Sequence, residues 1–287
     1  MSGLYSSPSH SLLEEALSFG EADDAVYLSS SRPKAALPSG GGGGGGGSGT
    51  VVLIEDCVET NGGFILHHLI KRALSPNRPS DVVVFVSFAH PFSHYDRILR
   101  KMGCNLSGHR ENKRFIYHDM LSMNSPGSVR DGIEATDDLL MTLYGKIQKA
   151  VELYSSPEGS KHVTIMIDDI SLMEVAVNGL SNHVVDFLHY CYSLTTQFGC
   201  SMIILNHEDI YSSLEQLSPL LHLEYLANVV IKAEPLATGL ATDVHGQLTV
   251  FNKGICRRNG KSKSKIRNFQ FRVKENKVEF FYPGSQT

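Results

Sequence analysis

The chain has 287 residues, of which 41% are hydrophobic and 20% are charged, and its formal net charge is −4. This length supports one large α/β domain or two small ones, with a sizeable core. No apolar run approaches the ~18 residues of a membrane-spanning helix, and the N-terminus lacks the basic and apolar regions of a secretory signal. Five scattered cysteines without a C-x-x-C pair argue against a disulfide framework and a cysteine zinc site, so we expect a reducing, intracellular compartment.

Residues 1–50 are predicted to form a disordered tail outside the globular domain. The tail ends in a run of eight glycines from Gly40 to Gly47, a composition typical of a flexible linker. Within it, Ser11-Leu12-Leu13-Glu14 has capping-box spacing and predicts a short helix that extends through Phe19. This helix could dock on the domain or on a partner, or form only transiently.

From Val51 onward, short apolar runs alternate with segments of helical periodicity, which predicts one domain over residues 51–287. Runs that are apolar throughout are typical of strands buried on both faces of a parallel sheet. The predicted parallel strands are 51–54, 82–88, 115–117, 163–167, 202–205 and 229–231. Apolar residues three and four positions apart predict helices around 92–102, 140–154 and 184–198. An α/β sheet covered by helices on both faces follows.

The C-terminal part of the chain changes its period. Apolar and polar residues alternate at 248–250, 269–273 and 278–282, and Glu275-Asn276 is placed where a two-residue turn would join the last two runs. The pattern predicts antiparallel strands added to the edge of a mostly parallel sheet.

The first predicted strand leads into a turn and a helix, where a nucleotide-binding α/β protein would carry its phosphate loop. In the register that places Gly62 on the second motif glycine, Cys57 replaces the first glycine, Gly63 the phosphate-binding lysine and Phe64 the Mg²⁺-binding Ser/Thr. Backbone N–H groups at 61–63 could still bind an anion. Without the ammonium and the hydroxyl, we expect no nucleotide cofactor.

Two carboxylates, Asp168 and Asp169, end the predicted strand 163–167. An aspartate at this position orients Mg²⁺ or a water in an active NTPase, but it is also an ordinary cap for a following helix. Because the loop lysine is absent, the cap interpretation is favoured. The thirteen histidines show no H-E-x-x-H spacing and no G-x-S-x-G elbow accompanies them, so we expect no catalytic and no metal-binding residues.

Charge is distributed unevenly along the chain. Between Lys253 and Lys277, ten Lys/Arg stand against the single acid Glu275, so this stretch carries +9 and the remainder −13. Such asymmetry indicates an anionic partner, nucleic acid before membrane. The candidate RNA-binding residues are Arg257, Arg258, Lys261, Lys263, Lys265 and Arg267. Because Gly and Ser separate them without aromatics, they could neutralise phosphates but not stack on bases, or simply form a solvated loop.

Several motifs together resemble the family of sixth subunits of the Elongator complex. They are the Asn-Gly-Gly-Phe turn within 56–68, Phe92-Ser93-His94-Tyr95, Asp168-Asp169, the segment 186–191, Ala237-Thr238-Gly239 and Asp243-Val244-His245-Gly246-Gln247-Leu248. The resemblance implies a RecA-like fold that lacks the nucleotide loop. It also implies assembly with the fourth and fifth Elongator subunits into a hetero-hexameric ring.

The resemblance further implies that the ring binds tRNA and supports the catalytic subcomplex that modifies the wobble uridine (U34), in the cytoplasm and in the nucleus. The chain would then be a non-catalytic subunit. Two alternatives of other classes remain open: a divergent ATPase with an unorthodox loop, and a stand-alone RNA-binding protein.

Overall fold

The computed structural model describes residues 49–121, 133–156, 161–211, 219–239, 241, 243–253, 264–274 and 277–284. In these residues, nine strands form one sheet: β1 (Val51–Asp56), β2 (Val82–Ser87), β3 (Phe115–Asp119), β4 (Val163–Asp168), β5 (Ser201–His207), β6 (Val229–Glu234), β7 (Gly246–Asn252), β8 (Lys265–Val273) and β9 (Val278–Phe281). The strand order is β3-β2-β4-β5-β1-β6-β7-β8-β9.

Seven α-helices flank the sheet within the described residues. They are α1 (Gly63–Ala73), α2 (Phe92–Lys101), α3 (Leu106–Glu111), α4 (Ile133–Ser155), α5 (Ile170–Ala176), α6 (Ser181–Phe198) and α7 (Pro219–Leu226), with a 3-10 turn at Glu208–Tyr211. No helix in this part of the chain combines the length and apolarity that crossing a bilayer requires.

The sheet has a parallel part and an antiparallel part, as the sequence predicts. Strands β1 to β6 pair in parallel, whereas β6–β7, β7–β8 and β8–β9 pair antiparallel. All six residues of β1, β2 and β4 are buried, while β7 alternates between buried and half-buried positions. The difference follows from their surroundings, since parallel strands are covered on both faces.

Two hydrophobic clusters lie on opposite faces of the sheet. One contains Leu69 of α1 and Tyr95 of α2 together with Phe269 of β8, and the other contains Ile147 of α4 and Leu188 of α6. The predicted helical stripes therefore face the sheet. Helix α6 ends at Gly199, whose φ of +67° is the left-handed conformation that glycine adopts without strain.

The predicted tail and loops are mostly outside the described residues. The predicted helix at 11–19, the glycine run and the turn at 275–276 all fall there. Gly49 and Thr50 are described, and the Gly49 N–H donates to the carbonyl of Thr195 while the Thr50 carbonyl accepts from Met202.

Candidate functional site at the carboxyl end of the parallel strands

The carboxyl ends of the parallel strands meet at one edge of the sheet, where ligands bind in α/β proteins of this architecture. Polar side chains end or follow most of these strands: Glu55, Asp56, Ser87, Asp168, Asp169, His207 and Lys232. Most of them are nearly inaccessible to solvent. Buried polar groups are costly unless they are paired, so their partners define what this edge can do.

The loop after β1 is closed by the chain's own carboxylate. The Gly62 N–H donates to Asp56 Oδ2 at 2.6 Å, and the Gly63 N–H donates to Asn61 Oδ1 at 2.8 Å. These are amides that an anion at the start of α1 would need. The expectation that the 61–63 amides could bind an anion is therefore wrong for Gly62 and Gly63, because both already have internal acceptors.

Phe64 occupies the motif position of the Mg²⁺-binding hydroxyl, and its ring packs against the antiparallel strands. Its centroid lies 4.8 Å from that of Phe271 and 6.2 Å from that of Phe280. The side chain therefore joins α1 to β8 and β9. It contributes packing where a nucleotide-binding protein would contribute a metal ligand.

His207, at the end of β5, bridges two carboxylates. Its Nδ1 is hydrogen-bonded to Asp56 Oδ1, and its Nε2 lies 3.3 Å from Asp169 Oδ2. Hydrogen bonds to Asp169 and then to Asp56 raise the pKa of His207 to about 10. The imidazole is therefore a cation at neutral pH, held between β1 and β4.

Asp169 caps helix α5. Its Oδ1 accepts from the Leu172 N–H at 2.7 Å and from Ser171 Oγ at 2.6 Å. Burial opposes its charge, but hydrogen bonds from His207, Ser171 and Leu172 lower the pKa of Asp169 overall. The predicted cap at the end of this strand is confirmed, with Asp169 as the capping residue.

Asp168 has a different partner, the phenol of Tyr95 on α2. Tyr95 donates to Asp168 Oδ2 at 2.5 Å, and its hydroxyl also lies 2.8 Å from Ser87 Oγ. Asp168 is 5% exposed, and burial raises its pKa to about 6. Its carboxylate thus joins β4 to α2 through a buried hydrogen bond, and only one of the two aspartates acts as a helix cap.

A lysine does lie at this edge, but acidic residues hold it. Lys232 Nζ lies 2.8 Å from Glu55 Oε2, 3.2 Å from Glu224 Oε1 and 3.5 Å from Glu208 Oε1. Burial raises the pKa of Glu55 to about 7 against the opposing effect of the lysine. Although burial disfavours its charge, the hydrogen bond and charge of Glu55 raise the pKa of Lys232. The ammonium therefore joins β6 to β1.

These contacts make the edge a set of internally paired charges. The Asp56 carboxylate is hydrogen-bonded to the Gly62 N–H and to His207, and the Asp168 carboxylate accepts from the Tyr95 hydroxyl. In the described ranges, no group of three or more His, Cys, Asp or Glu side chains is arranged to hold a metal ion. The arrangement joins strand ends and helix starts to one another.

The candidate RNA-binding residues are divided by the structure. Arg257, Arg258, Lys261 and Lys263 lie outside the described residues. Lys265 and Arg267 lie on β8, opposite Asn252 and Val250 of β7, so this end of the predicted flexible segment is a strand instead. The alternation of apolar and polar residues begins only at Phe269, so no such signal marked the first residues of this strand.

The strand register also shows where the basic segment, residues 257–267, leaves the domain. Asn252, the last residue of β7, pairs with Val229, the first residue of β6. The segment between β7 and β8 therefore emerges at the amino end of the parallel strands. This is the edge opposite the His207 network, about 20 Å away along a six-residue strand.

Sequence reasoning missed the pairings of His207, Tyr95 and Lys232. A signal existed, because a polar residue follows an apolar run at the end of strand after strand. The periodicity of one strand does not say which neighbour it pairs with, so the partners depend on the strand order.

Comparison with known proteins gives a consistent result. The family profile described as Elongation complex protein 6 matches residues 46–275. Curated relatives named Elongator complex protein 6 include one from Xenopus laevis, 29% identical over 78% of this chain and 87% of that protein. One from Mus musculus is 27% identical over 82% and 91%, and one from Homo sapiens 27% over 79% and 88%.

Among solved structures, a KaiC-like protein from the hyperthermophilic archaeon Pyrococcus horikoshii OT3 is similar in fold. The TM-score is 0.55 at 13% sequence identity, over 82% of this chain and 90% of that chain. At this identity the likeness concerns the fold alone. It agrees with the RecA-like architecture expected from the sequence.

Proposed function

Because the chain belongs to the Elongation complex protein 6 family, we propose that it is a non-catalytic subunit of Elongator. In this proposal it assembles with the fourth and fifth subunits into a hetero-hexameric ring of RecA-like domains. The ring binds tRNA and supports wobble-uridine modification by the catalytic subcomplex, in the cytoplasm and the nucleus.

The observation that carries the non-catalytic role is the hydrogen bond from the Gly62 N–H to Asp56 Oδ2. A carboxylate here takes the donor that a phosphate would need and repels the phosphate's charge. The loop sequence adds no lysine to compensate, since Gly63 and Phe64 stand at the two decisive positions. Both features favour a scaffolding role over nucleotide hydrolysis.

Exposed apolar residues beside the His207 network support ring assembly. Val58 is 85% exposed and Ile210 53%. The Val58 N–H donates to Asp209 Oδ2, which brings the loop after β1 next to the turn that carries Ile210. Apolar side chains grouped in this way are typical of surfaces that a partner covers. We assign this surface to contacts with the sister subunits.

The basic segment supports the tRNA-binding part of the proposal. It leaves the domain at the amino end of the parallel strands, so an RNA bound there would not compete with contacts made at the opposite edge. Exposed Lys265 lies at its junction with β8. Lysines and arginines in such a segment attract phosphates through a salt-sensitive, sequence-independent interaction.

Native mass measurement after co-expression with the fourth and fifth subunits tests the proposal. We expect a six-membered assembly with two copies of each subunit, and poor solubility of the chain expressed alone. A well-behaved lone monomer that binds tRNA unaided would instead support a stand-alone RNA-binding protein. Hydrolysis of ATP by the intact ring that is lost on Asp168→Ala would support the ATPase alternative.

A further inference from the structure

A cavity of about 440 Å³ lies outside the paired network, between α1, α2 and the pair of strands β8 and β9. We call it the α1–α2 groove. Its apolar wall is formed by Phe64, Ile98, Met102, Phe271 and Val278. Phe271 and Val278 are buried in the sheet, while Phe64, Ile98 and Met102 are half-buried and line the cavity. An apolar groove of this size fits a few side chains of a peptide.

The rim of the groove is basic. Arg97 and Lys101 lie on α2, Lys274 directly follows β8, and Lys277 directly precedes β9. Both hairpin lysines lie 2.6 Å from Glu279, and Glu59 also lines the groove. Among the residues that line the groove, four Lys and Arg side chains therefore stand against the single acid Glu59. His67 adds no charge, because burial lowers its pKa to about 4.

The aromatic side chains of the groove are already engaged with one another. Phe64 packs on Phe271 at 4.8 Å between ring centroids, and His68 meets Phe280 edge-on at 6.3 Å. A nucleic acid would need open ring faces on which its bases could stack. An apolar peptide segment with acidic flanks requires only the apolar wall and the basic rim, so the groove favours a peptide.

The N-terminal tail of the same chain contains a segment that combines apolar and acidic residues. Residues 11–19, Ser-Leu-Leu-Glu-Glu-Ala-Leu-Ser-Phe, carry four large apolar side chains and two adjacent acids, Glu14 and Glu15. Their negative charge is opposite in sign to the basic rim of the groove. The basic segment 257–267 is a poorer candidate for the groove. It could pair only with acidic residues, because Ile266 is its single large apolar residue.

The tail is long enough to reach the groove. Twenty-nine residues lie between Phe19 and Gly49, where the described residues begin, and a random-coil chain of this length has a root-mean-square span of about 30 Å. Gly49 precedes β1, and the groove is lined by Thr60 and Asn61 just beyond its far end. A six-residue strand is about 20 Å long, so the distance from Gly49 to the groove is within the span of the connecting residues.

We propose that residues 11–19 dock in the α1–α2 groove of their own chain. The apolar side chains contact the wall formed by Phe64, Ile98 and Met102, and Glu14 and Glu15 pair with Arg97 and Lys101. The docked segment covers the start of α1 and excludes other apolar ligands from the groove. This interaction is independent of the proposed tRNA binding, since it lies at the opposite edge from the basic segment.

A photo-crosslinker in the tail tests the proposal. p-Benzoylphenylalanine replaces Phe19 in the full chain, which is purified together with its co-expressed partner subunits. After irradiation, the labelled residues are mapped by mass spectrometry. We expect labels in α2 around Ile98 and Met102 or at Val273 of β8, within one chain. The charge reversal Arg97→Glu/Lys101→Glu should lower their yield at least about fivefold, because it replaces two attractions by repulsions.

Matched controls make the result specific. Adding Glu14→Lys/Glu15→Lys to the Arg97→Glu/Lys101→Glu variant should restore the crosslinking yield. The control Lys146→Glu/Lys149→Glu, at exposed positions of α4, should leave the wild-type yield unchanged. A crosslinker at Leu37 should not label the groove. Labels at 254–264, labels between differently isotope-labelled copies, or a yield unaffected by the groove reversal would each overturn the proposal. So would a synthetic RNA that crosslinks to α2 while position 19 does not.

Discussion

The imidazole Nε2 of His207 lies 3.3 Å from Oδ2 of Asp169, which links the end of β5 to the cap of α5. Through its other nitrogen the same ring holds Asp56, the residue that closes the loop after β1. One protonated histidine therefore neutralises carboxylates from two strands at the edge where related folds bind ligands.

Removing the imidazole should destabilise the domain substantially. In His207→Ala, the side chains of Asp56 and Asp169, both at most 1% exposed, lose their cationic partner. Breaking a buried ion pair costs about 3–5 kcal/mol, and we expect the lower end because His207 is one-quarter exposed. The difference in free energy of unfolding would be measured by urea denaturation at pH 7. His189→Ala, at an exposed position of α6, is the matched control and should change stability by less than about 0.5 kcal/mol.

The same bridge predicts a pH dependence of stability. Because its partners raise the pKa of His207 from 6.5 to about 10, the folded state holds this proton more tightly than the unfolded state. The contribution is therefore fully present below pH 6.5 and is lost as the pH rises towards 10. Wild-type stability should fall over this interval more steeply than that of His207→Gln. Parallel curves for the two proteins would show that the imidazole is not charged in the folded state.

Ionisation of the buried Asp168 carboxyl should reduce the stability of the folded domain. Burial raises its pKa from 3.8 to about 6, so the stability that its protonation provides is lost as the pH rises from 3.8 through 6. Asp168→Asn keeps an acceptor for Tyr95 and removes the buried charge. We expect the variant to be at least as stable as wild type at pH 8, measured by urea denaturation.

Tyr95→Phe is the matching variant for this site. It leaves Asp168 buried without its donor and should cost about 1–3 kcal/mol at the same pH.

Nucleotide turnover by the purified assembly should be the same for wild type and Asp168→Asn. A loss of turnover with an intact assembly would give the carboxylate a catalytic role and contradict the non-catalytic proposal.

Two glycines should respond in opposite directions to replacement by alanine. At Gly246, the start of β7, an added Cβ would lie 2.7 Å from the Glu234 carbonyl oxygen and 2.9 Å from the Phe271 ring. We expect Gly246→Ala to cost about 1–3 kcal/mol by overpacking. At Gly145 in α4 nothing lies within 4 Å, so Gly145→Ala should stabilise by about 0.5–1 kcal/mol through helix propensity. Thermal unfolding of both variants would check the signs.

Neutralising the basic segment should weaken tRNA binding by the co-purified assembly. With Arg257, Arg258, Lys261, Lys263 and Lys265 changed to glutamine, affinity should fall and the slope of log affinity against log salt should flatten by up to about one unit per lost phosphate contact. Filter binding over a salt series measures both quantities. Lys146→Gln/Lys149→Gln on α4 is the control. Unchanged affinity and slope in the five-site variant would remove this segment from the RNA interface.

The sequence alone determined the fold class, because periodicity is a local property. Apolar runs such as 82–88 predicted buried parallel strands, and alternation at 269–273 predicted the antiparallel ones; both are confirmed. The stripe containing Tyr95 and Leu99 predicted which face of α2 is buried. The missing lysine and hydroxyl at Gly63 and Phe64 were equally visible, since they are identities at fixed positions.

The tertiary structure decided which polar residues meet. Nothing in the local sequence pairs His207 with Asp56, 151 residues away, because that contact depends on β5 lying beside β1. The same holds for Tyr95 and Asp168, which are 73 residues apart and meet where α2 packs over the end of β4. Local propensity fixes each element, whereas a buried charge is stabilised only by a partner that the strand order brings within hydrogen-bonding distance.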